Sequence, residues 1–206
     1  MGFYAERIYP RLVRHLGNPE PIRELRKHIV LLASGIVLEV GVGSGANLAH
    51  YDPTRVSLLY ALEPNAGMLR LAEMERRRTD LTVQFLDLSG DRIPLEDGSV
   101  DTVVTTFTLC TIPAVVEAIR GMARVLKPGG RLIFLEPSAA PDPRVRRWQQ
   151  RWEPIHHWVF EGLLLTRDIP ALIASGGFRV EQSQALYLSR FAKAWSHCCW
   201  GTAIPE

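Results

Sequence analysis

Short runs rich in apolar and β-branched residues recur along this chain, and they constrain its fold more than any other feature. The first, Ile36-Val37-Leu38-Glu39-Val40, ends at Gly41. Residues 56–62, 81–86, 100–107, 131–135 and 178–186 repeat the pattern, and 201–204 form a short seventh run. A strand with one face in water alternates apolar and polar residues. A strand that is apolar on consecutive residues is covered on both faces.

Helix-like segments lie between the runs. Residues 65–78 carry Met68, Leu69 and Ala72 on one face. Residues 113–126 carry Val116, Ile119, Met122 and Ala123, then stop at Lys127-Pro128-Gly129-Gly130, a helix stop and turn. Strands alternating with helices imply right-handed crossovers and a parallel sheet covered on both sides, a doubly wound α/β fold. Ligands of such folds sit beyond the carboxyl ends of the strands, near the point where strand order reverses.

Length and composition narrow the function classes. With 206 residues, 1–206 is read as a single domain able to bury its own core. A formal charge of +2 argues against nucleic acid as a partner. Cys110, Cys198 and Cys199 make neither a disulfide framework nor a spaced zinc site, so no metal is expected and a reducing, cytoplasmic setting is the simplest expectation. The longest apolar stretch, residues 29–33, is far short of the ~20 residues of a membrane span.

Gly41-Val42-Gly43-Ser44-Gly45-Ala46 closes the first run and opens a helix. Glycines there let the chain turn tightly and let a ligand approach the backbone. Glu63 ends the second run, about 20 residues on, placed to accept hydrogen bonds from both hydroxyls of a ribose. The spacing also satisfies the dinucleotide fingerprint through Gly41, Gly43 and Ala46. Glu39 weighs against that reading, because a carboxylate beside a pyrophosphate is repelled. It suits instead the cationic amino-acid end of S-adenosylmethionine, reached through water.

The motifs that follow carry a resemblance. Val37 to Gly45, Glu63-Pro64, Ile93-Pro94-Leu95-Glu96-Asp97-Gly98-Ser99-Val100-Asp101 and Arg124-Val125-Leu126-Lys127-Pro128-Gly129-Gly130 are similar, in order, to the motifs of class I S-adenosylmethionine-dependent methyltransferases. The resemblance implies a mostly parallel, seven-stranded sheet with its last strand antiparallel. It implies S-adenosylmethionine as cofactor and S-adenosylhomocysteine as product. The cofactor site it implies comprises Glu39, Gly41, Gly43, Gly45, Glu63, Pro64, Met68, Ser89, Gly90, Asp91, Thr106 and Phe107. In it Met68 would pack on adenine, Ser89 or Asp91 would meet the adenine edge, and Thr106 and Phe107 would lie beside the methionine part.

Thr106 to Pro113, Trp148-Gln149-Gln150, Phe160-Glu161-Gly162 and Thr166-Arg167 are similar to a narrower group. It comprises bacterial phospholipid N-methyltransferase-like proteins and the membrane-anchored thiol S-methyltransferases of animal cells. No counterpart of the animal N-terminal anchor stands in this sequence, so stable membrane insertion is not expected. The chain departs from the group at Glu136-Pro137, where relatives carry Glu-His. It departs again at Leu163-Leu164, where they carry Cys followed by His or Asn. Polar groups are replaced by apolar ones, which suggests a hydrophobic acceptor.

Methyl transfer from a sulfonium asks the protein for in-line positioning and a dry site, and for a base only if the acceptor must lose a proton. His157, beside His156, is the candidate base, matching a histidine of the animal thiol enzymes. The competing expectation is that both histidines are helix positions without chemistry. Cys110 is expected to pack as a small hydrophobe. Residues 143–153 predict a helix with Val145, Trp148 and Trp152 on one stripe and Arg144, Arg147 and Arg151 flanking it. That stripe either packs on the domain as part of a lid or meets a membrane surface transiently. Residues 1–34 are expected to form a helical lid segment, and residues 143–176 a helical insertion over the acceptor pocket. The leading acceptor is a small hydrophobic molecule such as a thiol. A phospholipid or quinone-type lipid is second, and binding of S-adenosylmethionine without catalysis is third.

Overall fold

The computed structural model describes residues 4–90, 93–189 and 191–206. Seven strands form one sheet: β1 (Gly35–Val40), β2 (Val56–Leu62), β3 (Val83–Leu86), β4 (Val100–Thr106), β5 (Leu126–Pro137), β6 (Phe178–Tyr187) and β7 (His197–Pro205). The helices are α1 (Tyr9–Leu16), α2 (Glu20–Val30), α3 (Ala66–Arg76), α4 (Val115–Val125), α5 (Pro143–Val159), α6 (Ile169–Ser175) and α7 (Lys193–Ser196), with a π-helical turn at Tyr4–Ile8 leading into α1.

The strand order is β3-β2-β1-β4-β5-β7-β6. β1 through β5 pair in parallel, whereas β7 runs antiparallel between β5 and β6. This is a doubly wound, mostly parallel seven-stranded sheet with its last strand antiparallel, as the resemblance implies. The order reverses between β1 and β4, so their carboxyl ends mark the crevice where such folds bind ligands.

The apolar runs follow from two buried faces. In β1, Leu38 and Val40 face a cluster with Val115, Ala118, Ile119 and Met122 of α4 and Ile169 and Ile173 of α6. Val37 faces the opposite cluster, with Ile22, Ile29 and Val30 of α2 and Ala72 of α3. β5 divides in the same way: Leu132 and Phe134 join the first cluster, Ile133 and Leu135 the second. Successive strand residues point to opposite sides, so β4 and the second half of β5 are buried on both faces, whereas β6 at the sheet edge is exposed over most of its length.

Three expectations are corrected here. α2 is part of the core, so only the portion of residues 1–34 before Pro19 lies outside it. α6 likewise belongs to the core, which confines the part of residues 143–176 free to cover a pocket to α5 and the loop after it. The stretch 127–130, expected as a turn, is a bulge inside β5: Val100 pairs with Leu126 and Thr102 with Arg131. Asp101 pins this region. Its carboxylate accepts from the Ile36 amide at 2.8 Å and from Lys127 Nζ at 2.8 and 2.9 Å.

Candidate cofactor and acceptor site

A cleft of about 980 Å³ opens beyond the carboxyl ends of β1, β2 and β4. Of the residues expected at the cofactor, Gly41, Gly43, Glu63, Pro64, Met68, Ser89, Gly90, Thr106 and Phe107 line it. Asp91 lies outside the described residues. Glu39 and Gly45 stand behind the wall, for different reasons.

Gly45 has φ +82, and a Cβ there would come within 3.0–3.2 Å of Ala72, Leu48 and Glu75. Its role is to let the loop pack on α3. Gly41 has φ +75, and a Cβ would run into the Thr108 side chain, so glycine is what lets the loop after β4 close against the loop after β1. The Gly43 amide donates to Glu63 Oε2 at 3.0 Å, and the Asn65 amide donates to Glu63 Oε1 at 2.9 Å. Burial pushes Glu63 up to about 7 against those two hydrogen bonds. A carboxylate offers about four lone-pair sites, so each oxygen keeps capacity for a ribose hydroxyl.

Glu39 is buried and does not reach the cleft. Its Oε1 accepts from Asn47 Nδ2 at 2.8 Å and its Oε2 from the Tyr51 hydroxyl at 2.9 Å. Burial pushes it up to about 7, opposed by those two partners and by Arg26. Of the residues bonded around it, Arg26, which sequence reading missed, lines the cleft, and Asn47 bridges Glu39 to Arg26.

Arg26 arrives from α2. Its Nη1 donates to Asn47 Oδ1 at 2.9 Å and to Thr106 Oγ1 at 2.5 Å, and Asn47 Nδ2 donates to the same threonine oxygen at 2.9 Å. The guanidinium lies 4.9 Å from the centre of the Phe107 ring. Its Nε is buried without a hydrogen-bond partner. An arginine beside Arg23 and Lys27 in a helix 80 residues from Thr106 gives no local signal of this role.

The β4 end is held from below. Phe107 sits at φ +57, a left-handed backbone that a non-glycine residue adopts only when its surroundings enforce it. Glu136 enforces it: its oxygens accept from the Thr108 amide at 3.0 and 2.9 Å, and Oε2 also accepts from the Cys110 amide at 3.4 Å. Glu136 is wholly buried, and that burial pushes it up to about 7. Cys110 is buried beside it, and its thiol is pushed well up by burial and by the Glu136 charge. A buried, protonated thiol is inert.

The far side of the cleft is built by α1 and α5. Tyr9, Val13, His157, Trp158, Glu161 and Leu164 line it. The Tyr4 hydroxyl donates to the Val159 carbonyl at 2.7 Å, and the Tyr4 and Trp158 rings stack at 6.4 Å. These contacts join the segment before α2 to the end of α5. The two histidines separate: His157 faces the cleft, whereas His156 is buried with Trp195 edge-on at 5.4 Å. Burial holds the His156 imidazole below its ordinary range, and its Nδ1 has no partner. Glu161, at φ +46, is the carboxylate of this wall, near Tyr9. Asn65 bonds its carboxylate, and burial raises its pKa. Arg167 ties the loop together, its Nη1 donating to the carbonyls of Leu109 and Ile112.

Cys198 and Cys199 pack on opposite faces of β7, one in each core cluster, and His197 Nδ1 is 3.0 Å from the Ser138 carbonyl oxygen. Adjacent strand residues point apart, so the two thiols do not converge.

Residues 38–134 match the family described as Methyltransferase domain. The thiol S-methyltransferase TMT1A of Homo sapiens is 36% identical over 135 residues, covering 64% of this chain and 55% of that protein. A demethylmenaquinone methyltransferase of Beutenbergia cavernae is 35% identical over 105 residues, 51% of this chain and 42% of that one. The chain thus spans about half the length of the curated relatives it matches. A solved SAM-dependent methyltransferase from Aquifex aeolicus superposes with TM-score 0.64 at 19% identity, covering 94% of this chain and 97% of that chain. At that identity the superposition shows the fold. Residues 38–134 thus match the methyltransferase-domain family, in a chain with the fold of solved S-adenosylmethionine-dependent methyltransferases.

Proposed function

We propose that this chain transfers the methyl group of S-adenosylmethionine to a small hydrophobic acceptor, such as a thiol, held between α1 and α5. The observation that carries this reading is that one cleft joins two chemically different walls. One wall offers Glu63, the glycine loop and Arg26, and the other offers Tyr9, His157 and Leu164.

The residues fit the cofactor. Glu63 has lone pairs free for both ribose hydroxyls, and Met68 opens α3 beside Pro64 as an apolar surface for adenine. Arg26, the cationic side chain on this wall, suits the cofactor carboxylate. Asn47 and Thr106 fix that guanidinium, and Glu39 and Tyr51 fix Asn47 in turn. When bound, S-adenosylmethionine supplies an electrophilic methyl group. The chain's part is to orient the acceptor in line with it and to exclude water.

The segment before Pro19 and α5 act as the lid of this site, joined through Tyr4, Val159 and Trp158. His157 accepts the acceptor's proton where the acceptor is a thiol, since the thiolate is the nucleophile. The apolar lining by Ile112, Leu164 and Trp158 also accommodates a quinone-type lipid, the acceptor class of the menaquinone relative. The test is a panel of thiols and quinols assayed for release of S-adenosylhomocysteine. Turnover on a hydrophobic member supports the proposal. Cofactor binding without turnover on any member would leave a protein that binds S-adenosylmethionine without catalysis.

A further inference from the structure

The α5 stripe was expected either to pack as part of a lid or to meet a membrane surface, and Trp148 and Trp152 stay partly exposed. The inner face of α5 is Val145, Gln149 and His156, all buried. Arg144, Trp148, Arg151, Ile155 and Trp158 follow one another at alternating spacings of four and three residues, which places them on a single outward stripe. Trp148 is 54% exposed, Ile155 51% and Trp158 79%. Beside the stripe, Trp152 meets Trp195 edge-on at 6.4 Å across a shallow groove that Lys193 also lines, and Phe191 is exposed next to it in sequence.

A continuous patch of exposed tryptophan and isoleucine marks an interface. Charge decides what covers it. α5 carries four arginines, Arg144, Arg146, Arg147 and Arg151, all exposed, against one carboxylate, Glu153. Glu153 Oε2 is already engaged by the Thr166 amide at 3.1 Å and the Thr166 hydroxyl at 2.6 Å. A second copy of this chain would set the same arginines against each other. An anionic bilayer offers the opposite charge, with an interfacial zone that takes tryptophan rings and a boundary that takes isoleucine. Trp158 belongs both to this stripe and to the wall of the cleft, so the patch is continuous with the cleft mouth.

We infer that the outer stripe of α5, with α7 beside it, docks this protein on an anionic lipid bilayer, lying on its surface with the cleft mouth toward the acyl boundary. The inference extends the proposed reading by naming where a hydrophobic acceptor would be collected.

The test is sedimentation of the full chain with phosphatidylcholine vesicles, with and without phosphatidylglycerol, in the absence of cofactor and acceptor. Partitioning onto the anionic vesicles should exceed that onto neutral ones by about tenfold or more and weaken as salt is raised. Trp148→Ser with Ile155→Ser should lower it by about tenfold at unchanged melting temperature, because both side chains already face water. Arg144→Gln with Arg147→Gln and Arg151→Gln should abolish the preference for anionic vesicles. Equal sedimentation of the Trp148→Ser, Ile155→Ser variant and the unaltered chain would overturn the inference. So would an unaltered chain that stays in the supernatant, or light scattering that shows a dimer dissociated by those two substitutions. None of these outcomes bears on methyl transfer, which the assay does not contain.

Discussion

The Gly43 amide donates to Glu63 Oε2 at 3.0 Å, joining the loop after β1 to the end of β2 through one carboxylate. The same carboxylate accepts from the Asn65 amide, and Asn65 Oδ1 caps α3 by accepting from the Gly67 and Met68 amides at 2.8 and 3.1 Å. Glu63 therefore holds the loop, the strand end and the helix start in one arrangement before any ligand arrives, which lowers the ordering cost of binding.

Glu63→Ala is expected to weaken binding of S-adenosylmethionine and S-adenosylhomocysteine by about 10- to 100-fold, or ~1.5–3 kcal/mol. Calorimetry checks this, and NAD should not bind either protein. Burial raises Glu63 to about 7, and hydroxyl donors favour the ionised form. Cofactor affinity should therefore fall as pH drops through about 7, and Glu63→Gln should remove that dependence.

Arg26→Met separates the two ends of the cofactor. If the guanidinium takes the carboxylate, affinity for S-adenosylhomocysteine should fall by about tenfold or more, while affinity for methylthioadenosine, which has no amino-acid part, stays unchanged. Equal losses for both ligands would reduce Arg26 to a support of the Phe107 turn.

His157→Ala should lower turnover on a thiol by about 10²–10⁴-fold with little change in cofactor affinity. The rate of the unaltered protein should rise with pH toward the thiol pKa. Full turnover by the variant at limiting acceptor would return His157 to a wall of the cleft without a part in proton transfer.

Deletion of residues 1–17 removes the π-helical turn and α1 and spares α2, which the core requires. The truncated protein should fold and bind cofactor, with turnover reduced far more than cofactor affinity, as expected when a lid is lost. Steady-state kinetics and calorimetry on the same sample compare the two. Unchanged turnover would make this segment packing alone.

Glu136 gives the fold a pH dependence of known sign. Burial raises its pKa from 4.5 to about 7, so the folded chain holds this proton more tightly than the unfolded chain. Its contribution is complete below about 4.5 and is lost as pH rises through about 7. Thermal denaturation between pH 5 and 8 should show a smaller decline in Tm for Glu136→Gln than for the unaltered chain. An identical decline in the two would show that Glu136 does not titrate in this range.

The sequence by itself determined the parts that rest on short-range physics. Consecutive apolar residues in β1 and β5 required strands covered on both faces, and Gly41 and Gly45 marked a turn at the end of β1. Each follows from local backbone geometry and side-chain periodicity, which a window of a few residues contains. Tertiary structure alone decided what meets across the fold. It brought Arg26 to Thr106, set Glu136 beneath the Phe107 turn, turned Glu39 inward to Asn47 and Tyr51, and gave His157 rather than His156 to the cleft. It also left Trp148 and Trp152 partly exposed, although with Val145 their spacing makes one apolar stripe. An amphipathic pattern states that a helix has an apolar face, and the packing of every other element decides whether the chain covers it.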